Sequence, residues 1–119
     1  MEFLSDDWFR AANDALAGLE TDLDDALVIE HVIEHNGATV PYQLVIEARG
    51  CALEKGRPRS AHVTMAQSAE TAAALRAGTV DALQAVQDGR VRIDGDPRRL
   101  IQHAELLQAI DRRLAALPA

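Results

Sequence analysis

The stretch Leu27-Val28-Ile29-Glu30-His31-Val32-Ile33-Glu34-His35-Asn36-Gly37 decides how this 119-residue chain folds. Val28, Ile29, Val32 and Ile33 are β-branched, which suits a pleated, half-buried surface. Asn36-Gly37 is the strongest short hairpin signal in the sequence, because the favoured two-residue turn needs positive φ at both positions. The spacing therefore predicts a strand over 27–35 followed by a turn. A second strand follows at Tyr42 to Ala48, with Tyr42, Leu44 and Ile46 on one face and Gln43, Val45 and Glu47 on the other, and Pro41 suits its first position. Arg49-Gly50 turns into a short third strand, Cys51 to Glu54, which Lys55-Gly56-Arg57-Pro58 breaks. A fourth strand is expected at Ala61 to Met65. Short strands joined by tight turns predict an antiparallel meander.

Helices flank this strand block. Ser5 caps a first helix running to about Ala17, with Asp6 and Asp7 facing the positive end of its dipole, and Gly18 stops it. Trp8, Phe9, Ala12, Ala15 and Leu16 form its apolar stripe. Ser68 caps an alanine-rich helix from Ala69 to Ala77 that ends at Gly78. Thr79 is the expected cap of a further short helix whose Val80, Leu83 and Val86 share a face. Arg90 to Asp94 alternates as a last strand with Arg92 pointing outward. Asp96 caps and Pro97 opens a final helix, in which Leu100, Leu107, Ile110, Leu114 and Leu117 mark one apolar face. The order α-β-β-β-β-α-α-β-α predicts a single α+β domain over residues 1–119. Its sheet is mostly antiparallel and five-stranded, covered by helices on one face.

Composition excludes several functions. Twelve basic against 19 acidic residues give a formal charge of −7, which removes the counterion-release drive behind binding to phosphate backbones. Only Phe3, Trp8, Phe9 and Tyr42 are aromatic, too few for a base-stacking platform. Neither a nucleic-acid partner nor a membrane span is expected. Cys51 is the sole cysteine and forms no internal disulfide, which fits a reducing compartment. The acidic opening residues differ from a secretory signal, and Leu117-Pro118-Ala119 carries no peroxisomal or lipidation address. A bacterial-type cytoplasm is the expected location.

His31-Val32-Ile33-Glu34-His35 matches the H-x-x-E-H pattern of the inverted zinc peptidases. That chemistry needs a helix, where histidines four apart share a face and hold one zinc beside the glutamate. In a strand the two histidines lie about 13 Å apart, too far to share an ion. The β-branched density favours the strand and leaves the histidines facing solvent or an edge, with Glu30 and Glu34 solvated on the other face. A helix capped by Asp22 and stopped by Gly37 stays open from sequence alone, and with it a zinc hydrolase. Cys51 has His62 elsewhere in the chain but no local nucleophile signature. Lys55, Arg57 and Arg59 read as a solvated loop or as a site for an anionic headgroup. Asp94-Gly95-Asp96 lacks the glycine order of a phosphate loop. No catalytic residue, metal or cofactor is expected.

Ala72, Ala73, Ala74, Ala77, Ala82 and Ala85 let the short helices sit close to a sheet. The consequence is either tight packing or a long apolar cavity that stays dry. Here a family resemblance enters. Ala61-His62-Val63-Thr64-Met65, then Ser68-Ala69-Glu70-Thr71 with Leu75, Gly78, Ala82 and Ala85, and Gly89-Arg90-Val91-Arg92-Ile93-Asp94-Gly95-Asp96 with Leu100, resemble the sterol carrier protein type two family. The opening Phe3 to Trp8 is similar to the start of small stand-alone bacterial members. The resemblance implies a sheet layered with helices around an apolar tunnel that takes a sterol, fatty acid or fatty acyl-CoA, with no catalytic motif to transfer. It implies lining positions at Met65, Leu75, Val80, Leu83, Val86, Val91, Ile93, Leu100, Leu107 and Ile110. The competing expectation is an interaction module serving a partner enzyme of lipid or polyketide chemistry, without a ligand of its own.

Overall fold

Leu27–His35 is a strand, β1, and the turn after it places Asn36 and Gly37 at φ of 52° and 77°, both in the left-handed region that the asparagine–glycine pair tolerates. The computed structural model describes residues 2–57 and 60–117. Before β1 lies α1 (Asp6–Leu16), and after it come β2 (Ala38–Glu47), β3 (Gly50–Lys55), β4 (Val63–Ser68), α2 (Ala69–Ala77), α3 (Ala82–Gln87), β5 (Val91–Gly95), α4 (Arg98–Gln102) and α5 (Ala104–Ala115). The five strands form one sheet in the order β3-β2-β1-β4-β5.

The expected meander holds for the first three strands only. β4 does not add beside β3; it returns to the free edge of β1 and pairs parallel to it, Ile29 opposite Val63 and Ile33 opposite Gln67. The other three strand pairs are antiparallel, so the sheet is mixed. Turn residues specify hairpins between neighbours in sequence but not the edge that a later strand joins. Flanking β1 on both sides seals Leu27, Ile29 and Ile33, each at most 2% exposed, and the crossover that a parallel pair requires is supplied by the β2–β3 hairpin and the loop after it.

Pro41 lies within β2, opposite Val32, rather than at its first position. Its carbonyl accepts from Gly56 N at 3.1 Å, on the side where β3 has just ended. A residue's N–H and C=O point the same way in a strand, so the missing donor costs the β1 ladder nothing.

Ser5 accepts from Trp8 N, and Ser68 from Thr71 N, as expected for caps. Asp81, rather than Thr79, caps α3, while Thr79 bonds back to Ala74 O at the end of α2. The final helix is split at His103 into α4 and α5. Asp96 Oδ1 accepts from Arg98 N at 3.0 Å, two residues on as expected of a cap, but the helix itself begins at Arg98, with Pro97 at its N-cap rather than in its first turn.

The buried core joins β1, β2 and β3 to α1 and α5, with Trp8, Leu16, Ile46 and Ile110 among its most enclosed side chains. All four aromatic residues gather at one end: Trp8 meets Phe3 and Phe9 edge-on at 4.9 and 5.1 Å, and Phe9 meets Tyr42 at 5.7 Å. Aromatic rings prefer such edge-to-face contacts, and α1 so becomes a plug over that end of the sheet.

Candidate functional site

Alternation along β1, β2, β4 and β5 aims Ile29, His31, Leu44, Met65, Val91 and Ile93 at the helices. Together with side chains from α2, α3, α4 and α5 they line a cavity of about 460 Å³ between sheet and helices, within the range of small-molecule sites. Nine of the ten expected lining positions meet there, and the tenth, Val80, lines an adjoining cavity of about 400 Å³. His31, Met65, Leu75 and Asp111 border both cavities.

The outer cavity is overwhelmingly apolar, and its mouth is marked by exposure. Leu83, Val86 and Ile101 are 65%, 38% and 75% exposed, the large apolar side chains most open to water among the described residues, and all three lie on its rim. Isolated exposed aliphatics are ordinary, but these three border one opening.

The inner cavity runs beneath α2 toward the aromatic plug and is more polar than the outer one. Tyr42, Gln67, Arg76, Asp81 and Asp111 line it beside His31 and Trp8. His31 stacks on Tyr42 at 4.8 Å with its ring tilted by only 10°. Its Nδ1 and the Oε1 of Gln67 are buried, and neither has a hydrogen-bond partner among the described residues. Burial pushes the His31 imidazole down to about 4 and the Tyr42 phenol up, because a charged form loses its hydration there. Asp111 keeps contact with solvent at the groove, yet the protein around it pushes its carboxyl up to about 6, with the Arg76 guanidinium opposing that rise. Arg76 covers the ring of Phe3 at 4.1 Å, a cation–π contact.

Three expectations are corrected here. His31 faces the helices rather than solvent or an edge, because β1 is flanked on both sides and its alternation carries His31 with Ile29 and Ile33. Glu30 is not solvated: it is 7% exposed on the opposite sheet face, where Arg57 Nε donates to it at 2.8 Å and Thr64 Oγ1 at 3.1 Å. The helix that a zinc motif needs does not form, since 27–35 is a strand that sends Glu34 to the face opposite His31 and His35. A zinc hydrolase at His31, Glu34 and His35 is thereby excluded.

The basic cluster is dispersed: Lys55 pairs with Asp6, Arg57 with Glu30, and Arg59 lies outside the described residues. Cys51 is partly buried on β3, and burial pushes its thiol up, away from the thiolate a nucleophile needs. His62 serves the backbone instead, its Nδ1 accepting from Val28 N at 3.0 Å.

Sequence reasoning missed the polar group, although a signal for it exists. Gln67 is two residues beyond Met65 on an alternating strand. Asp111 lies four residues after Leu107 and three before Leu114, so it is a charge on the apolar stripe of its helix.

A mixed five-stranded sheet with helices over one face and an apolar cavity between the layers defines a fold class, and the comparisons place the chain within it. The profile of the SCP-2 sterol transfer family matches residues 6–108. The chain belongs to that family, whose general role is the binding or transfer of lipids. A crystal structure of sterol carrier protein 2 superposes with a TM-score of 0.76 at 15% identity, covering 98% of this chain and 100% of that one. The palmitated SCP2L2 of Aedes aegypti, solved by NMR, gives 0.65 at 15% identity over 87% of this chain and 90% of that one. The sec-alkylsulfatase Pisa1 of Pseudomonas sp. gives 0.55 at 18% identity, covering 79% of this chain but 13% of the enzyme. No curated protein matches in sequence. Among the described residues no helix is long and apolar enough to cross a membrane.

Proposed function

We propose that the chain is a non-catalytic carrier that binds one apolar molecule between its sheet and its helices, entering past Leu83, Val86 and Ile101. The observation that carries this reading is the apolar cavity with an exposed apolar mouth, bordered by Met65, Leu75, Val91, Ile93, Leu100, Leu107 and Ile110. A sterol, a fatty acid or a fatty acyl chain has the required chemistry. In this reading the outer and inner cavities join into one tunnel around the guest, and residues 1–119 act as a single carrier domain in the cytoplasm. Burying a methylene gains about 0.8 kcal/mol, so even half of a 16-carbon chain supplies about 6 kcal/mol before association costs. Such a tube discriminates weakly between chain lengths, by about 1–3 kcal/mol per methylene.

Native mass spectrometry of gently purified protein is expected to show a co-bound lipid, and titration with a fluorescent fatty-acid analogue to saturate near one per chain. Replacing Ala104 at the rim by Trp is expected to lower that uptake while leaving the circular dichroism spectrum unchanged. Protein that is uniformly empty and takes up no analogue would sink the reading.

A further inference from the structure

The inner cavity poses a problem that the apolar one does not. The sheet face that turns Ile29, Leu44, Met65 and Ile93 toward the helices also carries His31, Tyr42 and Gln67, on β1, β2 and β4. His31 pairs across from Tyr42 on one side and from Met65 on the other, and Gln67 is the next same-face position beyond Met65. Two of their polar atoms, His31 Nδ1 and Gln67 Oε1, are buried without a protein partner, an arrangement that is costly to leave unmade.

We propose that this inner cavity is a headgroup site for the hydroxyl of a long-chain alcohol, which enters head first and leaves its tail in the outer cavity. The proposal rests on the carrier reading and adds the chemical class of the guest. A hydroxyl both donates and accepts. In this site its O–H donates to Gln67 Oε1, and its oxygen accepts from the Nδ1–H of the neutral His31 imidazole. A carboxylate fits worse for two reasons. It has no hydrogen to give Gln67 Oε1, and it enters a cavity whose charged lining is Arg76 against Asp81 and Asp111, one positive charge facing two negative ones. Arg76 is moreover engaged over the Phe3 ring.

The test measures displacement of Nile red, a neutral dye, at pH 7.5 by three 12-carbon guests: 1-dodecanol, its methyl ether and dodecanoate, with affinities corrected for partitioning between water and octane. The methyl ether keeps the accepting oxygen and loses the donated hydrogen. Dodecanol is expected to bind roughly tenfold more tightly than either of the others. In Gln67→Leu the advantage over the ether is expected to shrink to within about twofold, with Nile red binding retained. Equal binding of alcohol and ether by the unmodified protein, or a preference for dodecanoate, overturns the proposal and leaves the carrier reading standing. Failure of the dye and all three guests to bind overturns both.

Discussion

His31 is a neutral imidazole held where its charged form is disfavoured, and the sign of the consequence is fixed. Its folded value, about 4, lies below the ordinary 6.5. The unfolded chain therefore binds a proton that the folded one refuses as pH falls from 6.5 to 4. Stability from this residue is complete above pH 6.5 and declines through that window, by about 3 kcal/mol in all. Asp111 acts oppositely, since its folded value of about 6 lies above the ordinary 3.8. It protonates more readily in the fold, so its penalty grows as pH rises from 3.8 to 6, muted by its contact with solvent. Urea denaturation between pH 4 and 7 is expected to show His31→Leu losing less stability on acidification than the unmodified protein, and Asp111→Asn losing more. Coincident curves for His31→Leu and the unmodified protein would contradict the buried neutral histidine. At Glu30 the concern is charge: its side chain is 9% exposed while that of Arg57 is 69% exposed. Arg57→Ala leaves a buried carboxylate with only Thr64 and is expected to cost about 1–2 kcal/mol in thermal unfolding. That cost belongs to the unpaired acid, because an ion pair so open to water adds little by itself.

Among the elements, α1 is tied to the edge strand β3 by one amide. Asn13 Nδ2 donates to Leu53 O at 3.0 Å and Asn13 Oδ1 accepts from Leu53 N at 2.7 Å. The side chain thus completes a strand ladder that has no sixth strand, and covers an edge that otherwise invites pairing with another chain. Asn13→Ala is expected to destabilise by about 1–3 kcal/mol and to speed amide hydrogen exchange in β3 before β1. Gly95 closes β5 with φ +103°, and a Cβ there meets His62 O at 2.5 Å. Gly89 also has positive φ, at +78°, but opens onto free space. Gly95→Ala is accordingly expected to cost clearly more than Gly89→Ala, whose strain alone is about 1 kcal/mol, and comparison of the two melting temperatures checks it. Most elements were legible in the sequence: 27–35 as a strand, 69–77 as a helix from Ser68 to Gly78, and Arg92 outward on the last strand. These rest on capping, turn chemistry and alternation, which act within a few residues. The split at His103 was not, because it depends on how helices settle over a sheet, and the cap at Asp81 was missed because Thr79, also a capping residue, bonds back to Ala74 O at the end of α2 instead.

For the whole molecule the decisive feature is the mouth. Leu83 and Ile101 sit far apart in sequence and at one opening in space. Leu83→Glu with Ile101→Glu is expected to change stability by no more than about 0.5 kcal/mol, as both side chains are exposed. The same pair is expected to slow and weaken uptake of a fluorescent fatty-acid analogue in stopped-flow measurements. Unaltered uptake would place the entrance elsewhere. The lining positions that the family resemblance implied converge on the cavities as a set, because apolar periodicity marks which face of each element is turned inward. The polar residues among them stayed hidden. Periodicity treats Gln67 and Asp111 as interruptions, and only the assembled layers bring them beside His31.

Local rules, readable from the chain alone, determined where strands, turns and caps fall and which faces are greasy, since each such rule is satisfied by neighbours within one turn or one hairpin. Tertiary structure alone decided that β4 lies parallel to β1, that Glu30 is buried under Arg57, and that His31, Gln67 and Asp111 border one cavity. Those outcomes depend on contacts between residues tens of positions apart, and the free energy that selects them is the burial of the whole sheet face at once.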